Sequence, residues 1–301
     1  MRLAVTGATG FVGSHLLDVA VAAGHEIVAL TRREQPPREN VTWVGGDLHD
    51  RAALERLVAD ADAIIHVAGV ITGHTPAVFE RGNVEGTLAM LAAATAGGVR
   101  RFVDVSSLAA REPKLSLYGA SKARAEELVM HSGLDWAIVR PPAVYGPGDR
   151  ETLELFRMAR IGVMLMPPKG RISVIHADDL ARLLLALAAA DAPSTILIEA
   201  DDGKPGGWTH REFAKALAEA VGTRAAVISS PGVLLRLAAR ADQLFRGEKA
   251  KLTTDRAAYF SHRNWVVEPK RAAPAELWRP QIATPDGLKM TAAWYREKGW
   301  L

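Results

Sequence analysis

Two side chains open the chemical reading. Tyr118-Gly119-Ala120-Ser121-Lys122 sets a phenol and an amine at positions i and i+4, a spacing that places both on one face of a helix. A free phenol has a pKa near 10 and is no base at pH 7, but an ammonium beside it favours the phenolate. Lowering that pKa by about three units takes roughly 4 kcal/mol. Ser106-Ser107 closes an apolar run just upstream. In a parallel sheet the carboxyl ends of the strands form the catalytic edge, so Ser107 is a candidate to hold a carbonyl or hydroxyl oxygen while Tyr118 exchanges the proton.

A second constellation lies near the N-terminus. Gly7-Ala8-Thr9-Gly10-Phe11-Val12-Gly13 follows Leu3-Ala4-Val5-Thr6 and precedes a helical pattern. Glycines at this spacing make a tight turn and let backbone amides approach a pyrophosphate at a helix N-terminus, where the dipole favours an anion. The second strand runs out into Thr31-Arg32-Arg33. An acid at that corner would select the ribose 2′-hydroxyl of NAD; guanidinium groups suit a 2′-phosphate through charge-assisted bonds. The expected cofactor is therefore NADP, with NAD second. Asp47, after the third strand, could accept from an adenine amino group or simply build a turn.

The elements that must position these groups alternate regularly. Strands are expected at residues 3–6, 26–30, 41–44, 63–67, 102–105 and 136–139. Helices are expected at 11–23, 50–59, 84–96 and 118–130. Continuous apolar strands between helices mean a parallel sheet covered on both faces. The predicted fold is α/β, a Rossmann-type doubly wound sheet, with residues 1–150 binding the dinucleotide. Residues 151–301 form mainly a smaller substrate lobe interleaved with the sheet. There, helices are expected at 152–160, 179–190, 210–220, 231–244 and 285–298, and strands at 196–198 and 226–228.

Composition excludes several classes. Among 301 residues there is no Cys, which removes disulfides, thiolate zinc, iron–sulfur clusters and a cysteine nucleophile. The nine His do not cluster at metal-ligand spacing, so no metal is expected. The net charge of +3, from 37 basic and 34 acidic residues, is too small to argue for nucleic acid. The longest apolar run, near Leu183–Ala190, is far short of the ~20 residues of a membrane span. No signal peptide is read at the N-terminus, and a soluble cytoplasmic protein is expected.

The chain resembles the extended short-chain dehydrogenase/reductases, the NAD-dependent epimerase/dehydratase type. The resemblance rests on Thr6–Gly13, Asp47-Leu48, His66-Val67-Ala68-Gly69, Asn83–Thr87, Ser106-Ser107, Tyr118–Lys122, Arg140–Gly148 and His176–Ala181. These occur in the family's order over residues 1–181, and Gly287-Leu288 with Thr291–Tyr295 is similar to its closing helix. The resemblance implies that Ser107 and Tyr118 are the catalytic serine and tyrosine. It implies that Lys122 binds the nicotinamide ribose and lowers the tyrosine pKa. Gly7, Thr9, Gly10, Phe11, Val12, Gly13, Arg32, Arg33, Asp47, Leu48, Ala68, Gly69, Pro141 and Val144 would line the cofactor with Tyr118 and Lys122. Asn83 would be structural. A homodimer packed through the 84–96 and 118–130 helices is also implied.

Two departures bear on the substrate. The stretch from Ser107 to Tyr118 is shorter than in typical nucleotide-sugar enzymes of the family. Their diphosphate-gripping Arg, six places before the Asp178-Asp179-Leu180 element, is here Ile172, with Arg171 adjacent. The reading is an NADP-dependent oxidoreductase acting on the secondary alcohol or carbonyl of a small, largely uncharged substrate, nearest the 3β-hydroxysteroid dehydrogenase and dihydroflavonol reductase-like members. The alternative is a nucleotide-sugar epimerase or dehydratase using the same Ser-Tyr-Lys set. A non-catalytic nucleotide sensor is third, and the complete triad argues against it. Specificity is expected from residues 70–79, 108–116 and 151–172.

Other signals take blander readings. Asp178 is expected to cap the helix that follows. Trp294 and Tyr295 are expected to pack. Met158, Met164 and Met166 either fill a core or line a pliable pocket. Arg236, Arg240 and Arg246 read as a solvated helix face.

Overall fold

The computed structural model describes residues 1–167, 169–230 and 254–301. The helix expected over 231–244, with Arg236, Arg240 and Arg246, lies outside the described residues. The chain divides into two compact units. The first comprises Met1–Pro141, Ala177–Glu199 and Arg271–Arg279; the second comprises Pro142–His176, Ala200–Lys270 and Pro280–Leu301.

Among the described residues of the first unit, seven parallel strands form one sheet. They are β1 (Arg2–Thr6), β2 (Glu26–Thr31), β3 (Val41–Gly45), β4 (Ala63–His66), β5 (Arg101–Val105), β6 (Asp135–Arg140) and β7 (Ile196–Glu199), in the order β7-β6-β5-β4-β1-β2-β3. The order reverses between β1 and β4. That is the switch point at which ligands bind in open α/β sheets. The helices are α1 (Phe11–Ala22), α2 (Arg51–Val58), α3 (Gly86–Ala96), α4 (Leu117–Met130) and α5 (Ala177–Ala188). On one face Ala4, Val28, Ile64, Phe102 and Ile138 pack with Leu54, Leu57, Met90 and Val129. The pair α1 and α5 covers the other. Both faces are covered, so the strands read as apolar runs without alternation.

Local chemistry sets the helix starts. Asp50 accepts the Ala53 amide (3.0 Å) to cap α2, and Ser116 accepts that of Gly119 (2.9 Å) to cap α4. The helix expected over 84–96 is partly of another kind. A short helix, Pro76–Phe79, runs into a π-helical turn at Glu80–Glu85 before α3 begins. The wider turn coincides with Asn83, whose amide takes the Val70 N–H (2.6 Å) and donates to the Val70 carbonyl (3.0 Å) and Ser121 Oγ (2.8 Å). Asp178 does not stand at the N-cap position. The helix α5 starts at Ala177, and Asp178 sits in its first turn, bonded sideways to His15 Nδ1 at 2.5 Å.

The second unit is built from short pieces. Ala143–Tyr145 pairs with Val174–His176, Val163–Met166 with Ala226–Ser229, and Arg171–Ile172 with Trp208–Thr209 and Asn264–Trp265. Helices Leu153–Arg160, His210–Val221 and Thr284–Glu297 pack around Tyr145, Phe156, Met164, Met166, Leu217, Leu288 and Tyr295. Met164 and Met166 therefore fill a core, with Met158 partly buried against it. Tyr295 is likewise core. Among the described residues no helix is long and apolar enough to cross a membrane.

Candidate active site

The glycine loop joins β1 to α1 beside the switch point. Gly7 has φ +70°, and a Cβ there would stand 2.6 Å from the Ala68 amide nitrogen; one at Gly13 would stand 2.0 Å from the Gly7 carbonyl oxygen. Both glycines are thus required by backbone packing. Gly10 differs: a Cβ there would meet only the Gly7 oxygen, at 3.2 Å. Gly10 is the N-cap of α1 and offers no side-chain cap, and the first turn carries no acid. The leading amides of Phe11 and Val12 therefore take no anion from the N-cap or the first turn at this positive helix end. Thr9 and Gly10 are exposed, and Phe11 packs edge-on against His15.

At the β2 end, Arg32 and Arg33 line a cavity of about 360 Å³ together with the acid Glu34, Gln35, Thr31 and Trp43. The Thr31 hydroxyl donates to the Arg33 carbonyl (2.6 Å) and accepts its amide (3.2 Å), which fixes the turn carrying both guanidinium groups. Asp47 is exposed, and one oxygen accepts the His49 amide at 2.8 Å, closing a local turn. Leu48 packs beneath Gly86. A close-packed glycine turn leading into a helix N-terminus without an acid in its first turn fits the pyrophosphate of a dinucleotide.

The candidate catalytic residues lie after β5 and on the helix α4 that follows it. Ser107 follows β5 and is 8% exposed; its Oγ accepts the Ala109 amide at 3.2 Å, leaving the hydroxyl hydrogen to donate elsewhere. Lys122, 3% exposed, donates to the Val105 carbonyl at 2.8 Å. Its Nζ lies 3.8 Å from where a Gly69 Cβ would be. Tyr118, one turn earlier on α4, is partly exposed and tilts against Phe79 with ring centres 6.3 Å apart. Ala68 donates its amide to Thr6 Oγ1 (3.2 Å), and Pro141, at the β6 end, accepts the Leu108 amide (2.9 Å). Val144 belongs to the second unit, in the strand that pairs with Val174–His176.

Beneath the candidate residues lies a set of buried and partly buried charges that sequence reasoning missed. Arg140 makes a two-pronged bond to Glu126 (2.8 and 2.6 Å) and approaches Glu199 at 3.6 Å; Arg111 reaches Glu199 at 3.5 Å. Glu126 also accepts Ser106 Oγ at 2.5 Å. Asp104, in the middle of β5, is fully buried. Burial pushes its carboxyl up to about 6, against a downward pull from Lys122 and with a further upward push from Glu126. His66, beside it on β4, is driven down to about 3 by burial and then by Lys122. It stays neutral, bonded to Thr6 (2.8 Å) and Thr87 (3.2 Å). An available signal was Asp104 itself, one acid inside an apolar strand.

The glycine loop thus stands at the switch point of an open parallel α/β sheet, with Ser107 just after strand β5 and Tyr118 and Lys122 on α4. The chain belongs to the NAD dependent epimerase/dehydratase family, whose profile matches residues 3–198. It is 38% identical to the ceramide reductase of Caulobacter vibrioides, over 99% of this chain and 96% of that one. It is 32% identical to a 4-hydroxy-2-methyl-3-oxo-4-farnesyl-3,4-dihydroquinoline-1-oxide ketoreductase of Stigmatella aurantiaca, over 79% of each. In fold it is similar to a Bacillus cereus UDP-glucuronic acid 4-epimerase solved with NAD, with a TM-score of 0.76 at 18% identity over 99% of both chains. The protein is an NAD(P)-dependent oxidoreductase of the extended short-chain type.

Proposed function

We propose that this protein is an NADP(H)-dependent reductase that converts a ketone on a lipid-like, largely uncharged substrate to a secondary alcohol. The observation that carries the reading is the end-to-end 38% identity with a chain named ceramide reductase. The geometry supports it. Ser107 follows β5 and Tyr118 and Lys122 stand on α4, with the ammonium held at 2.8 Å from the Val105 carbonyl. Arg32 and Arg33 line the cavity at the β2 end, where forked donors suit a 2′-phosphate.

The bound nicotinamide supplies the hydride. As the substrate carbonyl oxygen gains charge, Tyr118 gives it a proton and the Ser107 hydroxyl donates a hydrogen bond to it. Lys122 would then stabilise the phenolate until a proton from solvent restores the phenol. Gly7 and Gly13 hold the turn that presents the α1 amides to the pyrophosphate.

The epimerase/dehydratase alternative needs a cation for a sugar diphosphate. Ile172 cannot serve, and Arg171 donates from Nε to the Gly206 carbonyl (2.5 Å) and from Nη2 to that of Gly207 (3.0 Å). Both bonds would have to be given up to grip a diphosphate, which favours the reductase.

The test pairs NADPH consumption on long-chain ketones of ceramide type with calorimetric titration of UDP and dTDP into the NADP-loaded protein. Turnover on the lipid ketones is expected, falling by ~10² to 10⁴ in Tyr118→Phe, with no micromolar nucleotide binding. Micromolar UDP or dTDP binding that is lost in Arg171→Ala would move the assignment to the sugar reading.

A further inference from the structure

We propose that Asp104 is a positioning residue for the proton chemistry: its buried carboxylate offsets the Lys122 ammonium and keeps Tyr118 a proton donor into the neutral pH range. This rests on the reductase reading above.

Side chains alternate along β5. Phe102 packs with Val129 of α4 in one core, and Ser106 bonds Glu126 of α4 at 2.5 Å. Asp104, midway between them, faces the same helix. It is 0% exposed, and neither carboxylate oxygen has a hydrogen-bond partner among the described residues. A carboxylate is expensive to hold in that condition, so a residue with no structural bond to make is there for another reason.

The groups packed around it define that reason. From α4 it feels Lys122 and Glu126. On β4 its register neighbour is His66, bonded through to Thr87 of α3; on β6 the neighbour is the apolar Ile138. The set holds three cations, the buried Lys122 and the partly buried Arg111 and Arg140, and three buried acids, Asp104, Glu126 and Glu199. Arg140 is matched by Glu126 and Glu199, and Arg111 by Glu199. Lys122 makes its bond to a carbonyl. Asp104 is thus the acid that balances Lys122.

The balance has a direction. An ammonium one turn from the phenol favours phenolate, which is useful for taking a proton from an alcohol. A reductase must give a proton, so it needs the phenol protonated at working pH. An ionised Asp104 weakens the positive field at Tyr118 and preserves the phenol. Its carboxyl, pushed up to about 6, is still mostly charged at neutral pH.

The experiment uses the full chain and Asp104→Asn, with Asp104→Glu to restore the charge and Asp104→Ser as a second uncharged variant should Asn not fold. The first readout needs neither substrate nor cofactor. Tyrosinate absorbance is titrated in each protein and in its Tyr118→Phe counterpart, and the difference isolates Tyr118. Asp104→Asn should move that curve to lower pH by about half a unit or more, the size of one poorly screened charge. The alkaline limb of NADPH-dependent reduction should move with it, and Asp104→Glu should restore both. An unmoved curve, or one moved to higher pH, overturns the proposal. If the reductase reading itself is wrong, the parent protein does not consume NADPH on the lipid ketones, while the tyrosinate titration still reads the effect of Asp104 on Tyr118. If only the role of Asp104 is wrong, Tyr118→Phe is inactive and the Asp104→Asn profile overlays the parent's.

Discussion

At the scale of single residues, the proposed preference for NADP rests on the corner at the end of β2. Arg32 and Arg33 are exposed, yet their turn is fixed by the Thr31 hydroxyl through two bonds. Because their backbone is held in place, less ordering entropy opposes a phosphate contact. NADPH should bind at least tenfold tighter than NADH, about 1.4 kcal/mol, which one charge-assisted contact can supply. Arg32→Asp should erase or reverse that preference in a fluorescence titration. Equal midpoints for the two cofactors in the parent protein would exclude the assignment. The strand end that carries these arginines was legible in the sequence, because the apolar run of β2 stops at Thr31 and the two follow. Asp104, Glu126, Arg140 and Glu199 were not. Glu126 stands four places after Lys122 and reads as half of an ordinary surface pair on a helix. Only the packed structure shows both to be buried.

At the scale of elements, the β1–α1 turn is the least forgiving piece. A methyl group at Gly13 would stand 2.0 Å from the Gly7 oxygen and 2.7 Å from the Ala8 Cα. These are backbone atoms, so the loop must shift as a whole. Gly13→Ala should weaken NADPH binding by at least about tenfold, as misplacement of a pre-formed anion site does, and lower the melting temperature. A variant with parental affinity would show that the loop does not carry the pyrophosphate. The strands through residue 140 were readable as apolar runs bounded by turns, and most of the helices because each is long enough to display its period. The second unit was less so. Arg171–Ile172, Trp208–Thr209 and Asn264–Trp265 are two residues each, and their partners lie dozens of residues away. No window of sequence contains the reason they are strands. The π turn at Glu80–Glu85 was hidden likewise, since it coincides with one side-chain clasp from Asn83 to Val70.

For the molecule as a whole, two buried neighbours pull the acid stability curve in opposite directions. His66 is held down to about 3. Its contribution is complete above its ordinary value of 6.5 and is lost as pH falls from there toward 3, on the order of a few kcal/mol. Asp104 is held up to about 6. Its contribution is complete below its ordinary value of 3.8 and is lost as pH rises through 6. Between about pH 4 and 6 the two partly cancel. Asp104→Asn removes one of them, so its melting temperature should match or exceed the parent's at pH 8 and fall more steeply below pH 6.5. A shallower fall, measured by calorimetry across that range, would contradict the assignment of opposite signs.

The path of the chain adds a matter of timing. The strand β7 is the edge neighbour of β6, but residues 142–176 are laid down in the second unit before α5 and β7 are made. During synthesis the six preceding strands leave the ribosome well before Glu199, which closes β7. Until then Arg140 and Arg111 lack the carboxylate they share, and β6 shows an unpaired edge. A nascent chain stalled short of Glu199 should therefore remain sensitive to protease and depend on chaperones, whereas one stalled far enough beyond it for β7 to clear the ribosomal tunnel should gain protection in a single step.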